Sequence, residues 1–195
     1  FVRLIAAIIK DAALPNVEIN VTEKKPRTLP GFYRPCKEWD LVVLSGNSLV
    51  AGVEVQSQVG SFGNNFNNRT EEAMGSALDL WTAYREGAFN KTVRPWLGYL
   101  FLLEDCPRSR SPVRVKEPHF QVFPEFRNAS YGKRYELFCR KLVREKQYDA
   151  AAFLLSDREQ GLKGQYQEPG GDLTFDLFAR SLTAHASVYG GAKTQ

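Results

Sequence analysis

Trp39-Asp40-Leu41-Val42-Val43-Leu44-Ser45-Gly46-Asn47-Ser48-Leu49-Val50-Ala51-Gly52-Val53-Glu54-Val55-Gln56-Ser57-Gln58 is the stretch on which the fold turns. Trp39–Leu44 and Leu49–Gln58 are runs of β-favouring side chains, and Ser45-Gly46-Asn47-Ser48 between them is turn chemistry. Two such runs joined so closely predict an antiparallel hairpin. Strand alternation then sets Glu54, Gln56 and Gln58 on one face, with Val53 and Val55 on the other, toward a core. The same hairpin can bring Asp40 beside Glu54. Two carboxylates at such a junction make a hard oxygen site suited to Mg²⁺, with the backbone carbonyl of Val55 as a third ligand. Beside a scissile phosphodiester, that ion would activate a water and stabilise charge developing on the phosphate. A solvated polar face on an amphipathic strand explains Glu54 and Gln56 equally well, so the pattern alone leaves both readings open.

The segment that follows, Gly60-Ser61-Phe62-Gly63-Asn64-Asn65-Phe66-Asn67-Asn68-Arg69-Thr70, is rich in Asn and Gly and reads as a loop as far as Asn68. Asn pairs in bidentate fashion with adenine and Arg with guanine, which makes Asn64, Asn65, Asn67, Asn68 and Arg69 candidates for reading DNA. The competing reading is a connector in which Asn and Gly serve backbone conformation. Asn68 lies three residues before Glu71, a capping-box spacing that opens a helix from Arg69 to about Gly87. Met74, Ala77, Leu78, Trp81 and Tyr84 would be its buried face.

Further out, Phe1–Leu14 has helical apolar spacing, and the proline-rich 26–35 segment is a connection. Trp96–Leu103 and Ala150–Leu155 are buried strands. Between them lie an exposed loop, Pro107–Lys116, and a helix, Gly132–Lys146, whose Tyr131, Tyr135, Phe138 and Leu142 fall at inward spacing. Gln160–Gly171 is loop, and Asp172–Tyr189 is a last helix with Leu173, Leu177 and Leu182 inward. The order predicts one α/β domain over residues 1–195, a short mixed central sheet flanked by helices. Phe1 opens inside an apolar helical pattern without an initiator Met, so terminal residues are expected to be missing.

Composition narrows the function classes. The 195 residues are 43% hydrophobic and 25% charged, which excludes a collagen-like or disordered chain. No apolar run reaches the roughly 18 residues of a membrane span. The net charge of +4 conceals residues 106–149, which hold 11 basic and 5 acidic side chains, while the rest of the chain is close to balance. Such a local excess attracts polyanions, though a solvated Lys/Arg face is an equal alternative. Within it, Arg108, Arg110, Arg114 and Lys116 lie on the exposed loop and are the candidates for phosphate contact. Cys36, Cys106 and Cys139 are odd in number and scattered, which favours reduced thiols in an intracellular protein. His119 and His185 read as loop and helix-face residues, and no phosphate-binding loop or nucleophile elbow is present.

The run from Gly52 through Ser57-Gln58-Val59-Gly60-Ser61-Phe62-Gly63-Asn64-Asn65-Phe66-Asn67-Asn68-Arg69-Thr70-Glu71-Glu72 to Ala73 closely resembles the XhoI family of type II restriction endonucleases, most clearly between Asp40 and Trp81. The resemblance implies a restriction-endonuclease-like core of the PD-(D/E)xK type. It also implies a homodimer and Mg²⁺-dependent cleavage of double-stranded DNA within CTCGAG to leave 5′ overhangs. A prokaryotic, cytoplasmic setting and a cognate DNA methyltransferase as system partner follow from it. Residue by residue, Asp40 matches the first metal-binding acid and Glu54 the second, and Gln56 stands where lysine is usual. An amide can orient a water or phosphate oxygen but carries no charge. Trp39-Asp40 replaces the usual Pro-Asp, and an upstream acid such as Glu18 or Glu23 is left open as a further ligand. The rival readings are a structure-specific repair nuclease with the same core and a non-catalytic DNA-binding protein.

Overall fold

The computed structural model describes residues 1–11, 17–21, 26–90 and 93–191. Helix α1 (Val2–Asp11) is followed by strand β1 (Val17–Asn20). A small two-stranded sheet comes next, β2 (Thr28–Pro30) against β3 (Cys36–Glu38). The hairpin forms as β4 (Leu41–Ser45) and β5 (Ser48–Gln58), paired from Leu41↔Val53 to Ser45↔Ser48 with a register shift between Val43 and Leu44. Its two-residue turn places Gly46 at a φ of 56°, a left-handed conformation that glycine takes without a Cβ clash.

Helix α2 (Phe62–Arg85) then carries the chain across one face to β6 (Trp96–Glu104), which lies parallel to β5. The short helix α3 (Pro107–Arg110) and the longer α4 (Tyr131–Arg144) return it on that same face to β7 (Ala150–Ser156), parallel to β6. After α5 (Arg158–Leu162), helix α6 (Phe175–Gly191) packs on the opposite face beside α1. The main sheet has the order β1-β4-β5-β6-β7. It is mixed, antiparallel at the β1 side and parallel at the β7 side, and covered by helices on both faces. This is the architecture expected of a restriction-endonuclease-like core.

Each face of the sheet has its own apolar layer. On the α2/α4 side, Leu97, Tyr99, Phe101 and Phe153 meet Ala77, Leu80, Tyr135, Phe138 and Leu142. On the α1/α6 side, Val43, Val53, Leu100 and Leu154 meet Ile5, Ile9, Phe178 and Leu182. Strands buried on both faces read as continuous hydrophobic runs, as 96–103 and 150–155 do.

Several expectations are corrected. The segment from Phe62 to Asn68 is helix, not loop. Ser61 occupies the N-cap position with a φ of 44° and makes no side-chain capping bond, so Asn68 caps nothing. The earlier start is fixed by tertiary packing, because Phe62 and Phe66, one helical turn apart, seat on Tyr131 and Tyr135 with ring centroids 5.8 and 5.0 Å apart. Met74 and Leu78 are exposed instead of buried, since the stripe facing the sheet is Ala73, Ala77 and Leu80. Leu177 is likewise exposed on α6, while Leu173 and Leu182 are buried as expected. The basic loop is also more ordered than anticipated: Pro107–Arg110 is helical, with a capping box between Cys106 and Ser109.

Candidate active site

Strand β4 stops pairing at Leu41 opposite Val53, while β5 continues to Gln58. Beyond Val53 the β4-facing edge of β5 therefore has no strand partner among the described residues. Asp40, the residue before β4, takes that place: the Val55 N–H donates to its Oδ2 at 2.8 Å. In an extended strand one residue's N–H and C=O point to the same side, so the Val55 carbonyl is directed to the Asp40 edge as well. Asp40 and Val55 are thus joined by the way the shorter strand ends.

Glu54 projects onto the α2/α4 face and is only 7% exposed. Its Oε1 accepts hydrogen bonds from Lys37 Nζ and Gln56 Nε2, each at 3.1 Å. Its Oε2 is also 3.1 Å from Lys37 Nζ, yet no hydrogen bond reaches it. Burial pushes the Glu54 carboxyl above its ordinary range, and the neighbouring charge of Asp40 adds to this. The Lys37 ammonium and the Gln56 amide oppose the rise without cancelling it. The predicted sharing of one face by Glu54 and Gln56 is observed as a direct contact. Gln58 turns away, donating to the Gly60 carbonyl at 2.6 Å.

The carboxylate opens into a cleft of about 590 Å³ between the β2–β3 unit, β5 and α2, with Arg34, Lys37, Gln56, Glu71 and Glu72 also on its walls. The β2–β3 unit is held there by Asp79 of α2. This buried carboxylate accepts from the N–H groups of Phe32 and Tyr33 at 2.7 and 2.8 Å and from Arg34 Nε at 2.7 Å. Burial works against the Asp79 charge, but those donors together outweigh it and hold the carboxyl below its usual range. Gly31 passes so close to Asp79 that a Cβ there would lie 2.4 Å from Oδ2. Only glycine fits that approach.

Chemically, the Asp40 edge suits a hard divalent cation. It offers two carboxylates and a backbone carbonyl, and one buried Glu54 oxygen has no hydrogen bond to lose. Among the described residues no group of three or more His, Cys, Asp or Glu side chains is poised to hold a metal, so water would complete the shell. Glu18 lies on β1 opposite Leu44, and Glu23 falls outside the described residues.

The Asn-rich run acquires a geometry that a loop would not have. On α2, Asn64, Asn67 and Asn68 recur at helical i, i+3, i+4 spacing and are exposed, forming one face that continues to Glu71 at the cleft. Asn65 donates to the Ser61 carbonyl, and Arg69 pairs with Glu72 at 2.6 Å. The basic stretch is more heavily neutralised than its composition implies. Arg110 is forked onto Asp105. Arg140 bonds Asp172 and Glu136, Lys141 bonds Glu125, and Lys133 bonds Glu136. Arg108, Arg114 and Lys116 are exposed and, among the described residues, enter no ion pair. The three cysteines are free thiols. Burial lowers the pKa of His185, which sits on α6 across the sheet from the cleft.

Sequence reading missed Lys37, Asp79 and the pair Glu71 and Glu72. For Lys37 a signal existed: Glu54-Val55-Gln56 lacks an ammonium, and a search for a nearby replacement would have reached the residue three before Asp40. Asp79 carried no such signal, since a lone Asp on a helix ordinarily faces water.

Comparison with known proteins concerns the chain as a whole. No solved structure matches the chain significantly. It is 51% identical over 194 residues to the type II restriction enzyme BstVI of Geobacillus stearothermophilus, spanning 96% of this chain and 86% of that one. It is 51% identical over 144 residues to the type II restriction enzyme XhoI of Xanthomonas vasicola, covering 73% of this chain and 58% of the relative. The corresponding figures for the type II restriction enzyme AbrI of Azospirillum brasilense are 52% over 134 residues, 68% and 60%. The model of the restriction endonuclease XhoI family matches residues 1–168. The chain belongs to the XhoI family of type II restriction endonucleases.

Proposed function

We propose that this chain is the subunit of a homodimeric, Mg²⁺-dependent endonuclease that hydrolyses both strands of duplex DNA at CTCGAG and leaves 5′ overhangs. The observation that carries the proposal is the convergence of Asp40, Glu54 and the Val55 backbone at one sheet edge, beside a cleft walled by the helix that displays Asn64, Asn67 and Asn68. The base sequence CTCGAG rests on the family resemblance.

In this reading Asp40, Glu54 and the Val55 carbonyl hold the metal. When bound, Mg²⁺ supplies an activated water and stabilises charge on the phosphate. The chain's own part is positional. The Val55 N–H fixes one Asp40 oxygen, Gln56 steadies Glu54 through its amide and orients a water or phosphate oxygen, and burial keeps the edge dry enough for charges to act strongly. The exposed Asn face of α2 is shaped to enter a major groove, where Asn side chains meet base edges. Asn65 and Arg69 flank that face. Arg108, Arg114 and Lys116 meet phosphates, with Arg110 joining them only if it leaves Asp105. A two-fold dimer matches a palindrome because each subunit reads and cuts one half. Residues 1–195 form one endonuclease domain, acting in the cytoplasm of a prokaryotic cell whose methyltransferase protects the same site.

Linear duplexes with and without CTCGAG, incubated with Mg²⁺ or with chelator, test this. Cleavage confined to the Mg²⁺ arm and to the duplex carrying the palindrome is expected. Equal cutting of both duplexes would instead indicate a structure-specific nuclease, and binding without cutting a non-catalytic DNA-binding protein.

A further inference from the structure

We infer that Lys37 provides the positive charge that the Glu54-Val55-Gln56 segment lacks, acting on the scissile phosphate. The inference rests on the proposed nuclease function and names a further residue for it. Cleavage builds negative charge on the phosphate, and preorganised cations aimed at that charge are among the strongest contributors to rate. Within this cleft Gln56 supplies only a neutral amide.

Two cationic side chains line the cleft among the described residues, Arg34 and Lys37. Arg34 is committed to Asp79 at 2.7 Å, within the anchor that holds the β2–β3 unit. Lys37 is differently placed. Its side chain is 16% exposed and its Nζ lies 3.1 Å from Oε1 and from Oε2 of Glu54. The same Nζ lies 5.0 Å from the Trp39 ring, a further contact that holds the ammonium in place. Strand β3, which carries Lys37, is locked at this position by the Asp79 anchor on α2. Side chain and backbone together therefore keep the ammonium at this edge of the cleft.

The partner of Lys37 is the carboxylate that would bind the metal. With Glu54 engaged by an ion, the attraction that holds the ammonium would weaken. A long flexible stem then lets Nζ turn to the nearest new anion, the phosphate bound beside the metal. Without metal, the same ammonium neutralises a buried carboxylate that otherwise has beside it only the neutral Gln56 amide and the like charge of Asp40. One side chain thus stands in for the cation before DNA binds and acts on the phosphate afterwards.

The test compares the intact protein with Lys37→Gln, Gln56→Lys and the double variant. Three quantities are measured: single-turnover cleavage of a CTCGAG duplex in Mg²⁺, binding of that duplex in Ca²⁺, and calorimetric binding of Mn²⁺ without DNA. Lys37→Gln is expected to slow cleavage by about 100-fold or more. Duplex affinity should change by less than about 5-fold, and Mn²⁺ should bind at least as tightly because a competing cation is gone. Gln56→Lys in the Lys37→Gln background should recover at least about 10-fold of the lost rate, since it returns an ammonium to the cleft; a purely structural role would show no such rescue. Wild-type cleavage by Lys37→Gln, or loss of Mn²⁺ binding together with cleavage and no rescue, would overturn the inference. Failure of the unmodified protein to cut would instead remove the nuclease reading itself.

Discussion

Two regions of this molecule carry its conspicuous charge, and they handle it in opposite ways. At the β4–β5 edge, acidic groups are few and buried or half-buried: burial pushes Glu54 toward protonation in spite of Lys37 and Gln56, and one of its oxygens makes no hydrogen bond. Over residues 106–149 charges are many, mostly exposed, and largely paired, as in Lys141 with Glu125 inside the stretch and Arg110 with Asp105 just before it. Exposed ion pairs of that kind contribute little to stability and are screened by salt. A carboxylate raised by burial is held at a cost to the fold, and such costs cluster where a site needs them. Counting charge pointed to the second region, whereas asking which charges the fold fails to satisfy points to the first.

The largest expected effect sharpens that contrast. Glu54→Gln should reduce Mg²⁺-dependent cleavage by about 1,000-fold or more while leaving duplex binding in Ca²⁺ nearly unchanged. Cleavage within a few-fold of the unmodified protein would move the chemistry elsewhere. Next comes the anchor of the cleft. Asp79→Ala removes three donors' shared acceptor and should destabilise the fold by about 2–3 kcal/mol, seen as a lower midpoint in denaturant at unchanged slope. An unchanged midpoint would show that the β2–β3 unit is held by other contacts.

The acidic edge should also show itself in pH. Because the folded protein raises the Glu54 pKa, it binds a proton more readily than the unfolded chain. The penalty of keeping Glu54 charged is absent below the unfolded pKa and develops as pH rises through the folded one. Apo Glu54→Gln should therefore melt at the same temperature as the unmodified protein or slightly higher at neutral pH, with the gain fading as pH falls toward the carboxylate range. Calorimetric Mn²⁺ affinity of the DNA-free protein should fall on acidification, because the proton held by the raised Glu54 carboxyl competes with the ion. A neutral-pH loss of stability in Glu54→Gln would mean that the Lys37 contact outweighs the burial cost.

The smallest effect belongs to the basic region. Neutralising Arg114 or Lys116 should weaken binding uniformly across sequences and lower the slope of log affinity against log salt by about 1 for each phosphate no longer neutralised. Arg110→Gln should change that slope less, because its charge is already spent on Asp105. Equal slopes for all three would erase the distinction between paired and unpaired cations.

How much of this could be read from the chain follows the range of the forces involved. The hairpin was legible because strand period and a Gly-Asn turn are local signals, and with it came the Glu54–Gln56 face and the nearness of Asp40. Buried strands β6 and β7 and helix α4 were legible from hydrophobic period. The start of α2 was not, since Asn and Gly favour loops locally and only the packing of Phe62 and Phe66 on Tyr131 and Tyr135 overrides them. The i, i+4 spacing of those two phenylalanines was the available hint. Strands β2 and β3 are three residues each and owe their place to Asp79, some 40 or more positions later in the chain. Contacts of that range leave no periodic trace, and Lys37 stayed hidden with them.

In the proposed reading, Asp40 and Glu54 at the β4–β5 edge form the metal site that cuts DNA. The most direct measurement is Mg²⁺-dependent cleavage of a plasmid carrying CTCGAG by the unmodified protein and by Glu54→Gln, at concentrations giving equal occupancy of the site in Ca²⁺. Discrete fragments are expected from the first and intact plasmid from the second. Fragments from Glu54→Gln at the unmodified rate would contradict that reading.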